Sequence, residues 1–134
     1  TDDTDNAYRL LGDLGVIMDK AIAVSCDAAG IDEARHAIID GLAPRARGLH
    51  AHTATTAFNQ ELTAIWEVRN LLTLAVAMLD ATAARHESRG SLFRRDFPRR
   101  DDDHYLAHAM TDVHDATSWQ PVHIVDMPPR PRDY

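Results

Sequence analysis

Apolar residues recur at helical spacing through most of the first 85 positions, in three blocks separated by polar or proline-containing breaks. Tyr8, Leu11, Leu14, Ile17 and Met18 step along one face, and Thr4 or Asp5 stands ahead of them as a cap, which predicts a helix over about residues 6–20. A short apolar connector, Ala21 to Cys26, follows. Asp27 then caps a second predicted helix carrying Ile31, Ala34, Ile38 and Leu42, with Pro44 and Gly48 expected to stop it. Residues 44–55 have no apolar period and predict a loop. Thr56 opens the longest block: Phe58, Leu62, Ile65, Trp66, Leu72, Ala75, Val76 and Leu79 continue to about Arg85, a helix of about eight turns. Each block carries one apolar stripe that is buried only against the other two, so the expected fold is mainly α, a three-helix up-down-up bundle over residues 1–86.

The pattern changes at residue 87. Glu87 to Asp102 mixes Arg, Asp, one Gly, one Pro and two Phe, a composition that suits a shaped, ion-paired docking loop better than a solvated linker. Asp101 is placed to cap a helical turn through Leu106, and Ala107–Val113 with Ser118–Val125 predicts a short β-hairpin across His114–Thr117, with Pro121 on an edge. Pro128, Pro129 and Pro131 impose an extended tail that needs a surface to lie on. Residues 87–134 are thus the Arg-rich loop and tail, forming one domain with the bundle.

Composition narrows the function. A chain of 134 residues, 45% hydrophobic and 26% charged, describes one ordinary globular domain, and no apolar run is expected to reach the roughly 20 residues that cross a bilayer. The net charge of -7 argues against nucleic-acid binding, although Arg is concentrated between Arg85 and Arg100. The single Cys26 excludes an internal disulfide or cysteine-built zinc site, reads as inert core and points to a cytoplasmic setting. The chain opens at Thr1 in an acidic stretch and reads as cut from a longer polypeptide.

Candidate chemistry is sparse. His50 with His52, and His104 with His108, have metal-ligand spacing without a third ligand nearby. Asp101, Asp102 and Asp103 lie beside four Arg and are expected to be held in ion pairs; Ser88 and Ser91 lack a relay. Trp66 and Trp119 are expected to pack. None of the six Gly residues forms a Gly-x-Gly-x-x-Gly turn, so this chain alone is expected to hold no FAD. No catalytic, cofactor-binding or metal residue is therefore assigned.

Residues Glu87, Ser88, Arg89, Gly90, Arg94, Asp96, Phe97, Pro98, Arg100, Asp101 and Asp102 together resemble a signature near the C-terminus of the succinate dehydrogenase and fumarate reductase flavoprotein family, which includes L-aspartate oxidase. Asn59, Glu61, Leu62, Asn70, Leu71 and Leu72 resemble that family's long helix, and Pro121, Val122, Pro128, Pro129, Arg130, Arg132 and Tyr134 its closing segment, which is closer to the succinate and fumarate enzymes than to aspartate oxidase. Leu92, Ser91 and Cys26 depart from the pattern, where the family has His, Ala and Arg.

The resemblance implies a structural C-terminal domain of an FAD-dependent parent that interconverts succinate and fumarate. Its implied partners are the flavin-binding and capping domains of the same chain and an iron-sulfur subunit at the cytoplasmic face of the membrane. Arg89, Arg94, Asp96, Arg100, Asp101 and Asp102 are then expected to form interdomain contacts, Gly90 the turn, and Phe97 and Pro98 anchors. On that view, replacing Arg89 and Arg94 leaves the bundle's own unfolding nearly unchanged. The alternatives are the equivalent domain of L-aspartate oxidase, or a free-standing interaction module binding an acidic partner.

Overall fold

The computed structural model describes residues 5–112 and 117–130. It is mainly helical, with one small antiparallel sheet. Helix α1 (Ala7–Ile22) starts where the Asn6 side chain accepts the Arg9 amide at 2.9 Å, so the cap is Asn6 rather than Asp5. Thr4, the other expected cap, lies outside the described residues. Asp27 caps α2 (Ala28–His36) as expected, accepting from the Gly30 amide at 2.9 Å.

Pro44 does not stop the second rod. The chain widens into a π segment (Ala37–Leu42) and continues as α3 (Ala43–Gly48), with Pro44 in its first turn. In a regular α-helix the Pro44 ring would meet the Asp40 carbonyl, and a proline at that position has no amide to donate. The wider turn, in which the Ala43 amide reaches Ile38, relieves that conflict. Residues 44–48 are therefore helical, contrary to the loop expected there.

The long helix α4 (Gln60–Ala84) is shorter than expected, 25 residues or about seven turns. Its cap is Asn59, which accepts the Leu62 amide at 3.1 Å, and not Thr56. It is also long and apolar enough to cross a bilayer by length and composition, which corrects the expectation that no run approaches that length. Here a third of its most apolar window is buried inside the chain, as part of the core.

That core is one cluster. Leu10 and Leu14 from α1, Ile31 and Ala34 from α2, Ile38 and Leu42 from the π segment, and Ile65, Val68, Leu72, Ala75 and Leu79 from α4 are all buried. Helices α1, α2 and α4 each contact the other two, and α3 lies on α4. Arg69 ties α3 down by donating to the carbonyls of Ala46 (3.0 Å) and Leu49 (3.0 Å) at its C-terminal end. Trp66, expected to pack, is instead 57% exposed.

After α4 come the short helix α5 (Asp102–Tyr105), capped by Asp101, and strands β1 (Ala107–Met110) and β2 (Ser118–Pro121), paired from Ala107 with Pro121 to Met110 with Ser118. The hairpin exists but each strand is shorter than expected; of its turn, residues 114–116 lie outside the described residues.

Candidate functional site

The Arg-rich segment does not project from the bundle. It folds back across one end and joins the last turn of α4 to the first turn of α2. A helix leaves its final carbonyls unpaired, and the Arg94 guanidinium takes up those of α4: Nη1 donates to the carbonyl oxygens of Thr82 (2.6 Å), Ala83 (3.3 Å) and Arg85 (3.1 Å). The other edge of the same fork donates to Asp96, Nε to Oδ1 and Nη2 to Oδ2, both at 2.8 Å. Asp96 Oδ2 also accepts the amide of Ala28, the first residue of α2, at 2.9 Å.

Each charge therefore sits where a helix macrodipole favours it, the cation at a C-terminus and the anion at an N-terminus. Arg94 is 1% exposed, and only a planar fork can serve both sides at once. The Asp96 carboxyl is held well below the usual carboxylate range, first by the Arg94 hydrogen bonds and then by the Ala28 amide, which together outweigh its desolvation.

The backbone reinforces this join. Cys26 donates its amide to the Phe93 carbonyl at 2.9 Å, and Arg95 donates to the Cys26 carbonyl at 2.8 Å, a parallel bridge across 68 positions of sequence. Cys26 is buried there, and burial pushes its thiol up. Arg95 donates to the Ser25 hydroxyl at 2.8 Å and pairs with Asp27. Asp27 is lowered by the Gly30 amide first and Arg95 second.

Glu87 centres the second half of the elbow. Its side chain is fully buried, and four donors reach it: Arg85 Nη1 at 2.6 Å and Arg89 Nε at 2.7 Å on Oε1, Arg89 Nη2 at 3.0 Å and the Asp101 amide at 2.7 Å on Oε2. Burial alone raises its proton affinity; the Arg89, Asp101 and Arg85 hydrogen bonds reverse that, and the net shift is downward. Arg89 continues to Asp102 at 2.6 Å, and Arg100 grips the same carboxylate through Nε at 2.7 Å and through Nη2. Asp102 falls to about 2 under Arg100 and Arg89.

Charges thus alternate along Arg85, Glu87, Arg89, Asp102 and Arg100. The Arg85 fork also donates to the carbonyls of Tyr105 (2.8 Å) and Ala107 (2.6 Å) and lies 4.8 Å from the Trp119 ring centre, which fixes α5 and the sheet to the end of α4. Trp119 meets Tyr105 edge-on at 5.2 Å.

Gly90 makes the turn. Its φ of 60° lies in the region that favours glycine, and Arg89 and Leu92 exchange amide-to-carbonyl bonds at 3.0 Å around it. The Ser88 hydroxyl accepts the Arg94 amide and donates to the Phe97 carbonyl, both at 2.9 Å. Phe97 lies between the Arg94 guanidinium, 5.0 Å from its ring centre, and His86, stacked at 4.5 Å. Pro98 is exposed. Arg100 Nη1 holds the Arg130 carbonyl at 3.0 Å, so the tail lies on the elbow itself as far as described; Arg132 and Tyr134 lie outside the described residues.

Of the expected docking residues, Arg89, Arg94, Asp96, Arg100 and Asp102 spend their charged groups on one another and on this chain's backbone. Arg94 closes the end of α4 and, through Asp96, the start of α2, which argues against the expectation that replacing Arg89 and Arg94 together leaves the bundle's own unfolding nearly unchanged. Gly90, Ser91, Phe93, Arg95, Pro98 and Arg99 are exposed along the elbow, and Asp96 and Asp102 keep an exposed edge beside their ion pairs. Glu87 and Arg85 were not among the expected docking residues, although Glu87 between Arg85 and Arg89 is a readable signal in the sequence for a charge-paired carboxylate. The carboxylates of Glu87, Asp96 and Asp102 are bound to guanidinium and lowered, which makes them poor general acids or bases near neutral pH. His52 donates its amide to Glu61 at 2.8 Å and its ring contacts the same carboxylate, while His104 contacts Asp101.

Known proteins share this architecture. Residues 12–134 match the family described as fumarate reductase flavoprotein C-term. The chain is 43% identical over 93 residues to the fumarate reductase flavoprotein subunit of Mycobacterium tuberculosis, covering 65% of this chain but only 15% of that protein. It is 36% identical over 59 residues to the succinate dehydrogenase flavoprotein subunit of Rickettsia conorii, covering 44% of this chain and 10% of that one. A solved quinol fumarate reductase FrdA variant from E. coli superposes with a TM-score of 0.82 at 23% identity, over 95% of this chain and 23% of that one. The chain belongs to the family of C-terminal domains of succinate dehydrogenase and fumarate reductase flavoprotein subunits.

Proposed function

We propose that this domain is the structural C-terminal portion of an FAD-dependent flavoprotein that interconverts succinate and fumarate, with the flavin and the reacting groups in the preceding part of the polypeptide. The observation that carries the reading is the family match over residues 12–134, combined with an elbow whose carboxylates and guanidiniums are bound to one another rather than poised for chemistry. The domain divides into a bundle over residues 1–86, its three rods running up, down and up, and an elbow and tail over 87–134.

The elbow docks on the flavin-binding and capping domains through a pre-formed surface. Arg89, Gly90, Arg94, Asp96, Arg100, Asp101 and Asp102 set its shape, while Phe97 and Pro98, together with the exposed Phe93 and Arg99, face the neighbour. An iron-sulfur subunit at the cytoplasmic face of the membrane is a further partner on this reading.

Substrate preference of the full polypeptide is the test. Oxidation of succinate or reduction of fumarate, with no oxidation of L-aspartate, supports the reading. Oxidation of L-aspartate in preference to succinate would replace it with the aspartate oxidase alternative, and no flavin-dependent turnover of either would remove it.

A further inference from the structure

Helix α4 carries apolar residues around its whole circumference, the pattern of a helix covered on every side, yet only a third of its most apolar window is buried here. Trp66 apart, the uncovered large apolar side chains of α4 lie along one line. Leu71, Leu74 and Met78 are 42%, 54% and 46% exposed and recur at spacings of three and four, so they form one stripe. At about 100° per residue, Leu71 and Met78 project roughly opposite Arg69 and Asp80, the positions that hold α3 and α2. Leu74 continues the stripe to the edge of an open groove of about 920 Å³ between α4 and the π–α3 rod.

We infer that the Leu71–Leu74–Met78 stripe of α4 is the seat of the flavin-binding portion of the same polypeptide. The inference rests on the proposed function and adds where the contact falls: on the long helix as well as on the elbow. Three considerations select this occupant. The chain matches only 15% of the length of its Mycobacterium tuberculosis relative, so on the proposed reading most of the polypeptide lies outside this domain.

The stripe is also small, about 10 Å along one helix. A dimer between free copies needs on the order of 800 Å² from each partner, whereas a covalently tethered neighbour has a high effective concentration and is held by a smaller patch. Finally, Glu67 lies one turn before Leu71 on the same face and is exposed. A carboxylate there is costly against hydrocarbon but ordinary at the polar rim of a protein contact.

The test is photo-cross-linking in the full polypeptide, with p-benzoylphenylalanine replacing Leu74 or, in a second variant, Met78, irradiated with and without vesicles of phosphatidylethanolamine and phosphatidylglycerol. The expected result is a cross-link to residues that precede Thr1 in the same polypeptide, lost when Leu71 is also replaced by Asp. Cross-links to a second copy, to another subunit or to lipid, or none at all, overturn the inference. Bound flavin is measured on the same sample. Flavin present with cross-links elsewhere rejects this seat alone, whereas a full polypeptide without flavin rejects the proposed function beneath it.

Discussion

Replacing Arg94 with Ala should be among the most damaging single changes to this domain, although Arg94 lies in a segment with almost no regular structure. The side chain is 1% exposed and supplies two hydrogen bonds to Asp96 and three to the carbonyls that end α4. Truncation removes the cation, takes from the Asp96 carboxylate its Arg94 partner while leaving the Ala28 amide, and removes three donors from the end of α4, where the Arg85 amide still reaches the Thr82 carbonyl at 3.3 Å. Breaking a buried pair from one side costs about 3–5 kcal/mol; because the Asp96 side chain keeps 27% of its surface and can be hydrated, the loss should fall at the lower end, about 3 kcal/mol, still a large part of the roughly 5–15 kcal/mol that holds a domain together. For a chain of this size that corresponds to a fall in Tm on the order of 10 °C. The assay is urea unfolding of the 134-residue chain followed by far-ultraviolet circular dichroism. Arg94→Lys should fall between Ala and the parent, since an ammonium keeps the charge but cannot fork to both helix ends. A loss below about 1 kcal/mol, the scale of an exposed ion pair, would refute the reasoning.

Three further outcomes follow from the geometry. The carboxyls of Glu87, Asp96, Asp27 and Asp102 all lie below their ordinary values, Asp102 at about 2, so their contribution is complete above the unfolded carboxylate range near about 4 and is lost as pH falls through the folded values. Urea midpoints should therefore be flat from about pH 7 to 5 and decline below about 4; a midpoint that rises on acidification contradicts the sign. Gly90→Ala meets no atom within 4 Å, so its cost should be the backbone term alone, about 1–2 kcal/mol by denaturant titration, and no loss at all would show that the turn relaxes freely. Phe58 combines a φ of 55° with a fully exposed side chain, so Phe58→Asn should raise stability by up to about 1 kcal/mol, read as a higher Tm; a lower Tm would mean the ring has a contact that compensates its strain.

Much of the bundle was legible because the apolar period is a local signal: Ile31, Ala34, Ile38 and Leu42 of the second rod, Ile65, Leu72, Ala75 and Leu79 of α4, the Asp27 cap and the short helix after Asp101 all follow from spacing and side-chain chemistry, whereas Phe58 and Trp66, expected on the same stripe, are exposed and the buried Val68 was not on it. The second rod was misjudged at Pro44, where the rule that proline ends a helix gave way to a π turn that removes the clash. The α4 cap was misplaced because Thr56 and Asn59 are both good caps, and only the fold shows that the Leu62 amide meets Asn59. The elbow was recognisable as charge-paired, but its partners were not. Asp96 meets the Ala28 amide from 68 positions away, and no periodicity reports a contact at that range. Glu87 was hidden for a related reason: a charged residue reads as exposed until the three-dimensional arrangement brings Arg85, Arg89 and the Asp101 amide onto it.

The central claim is that this domain supports a flavin held by the rest of the polypeptide, and the ratio of flavin to protein tests it most directly. Measured by visible absorbance on protein purified in the presence of added FAD, the 134-residue chain should carry none, and the full polypeptide should carry one flavin per chain. A stoichiometric flavin on the 134-residue chain, or a full polypeptide that binds none, would contradict the account.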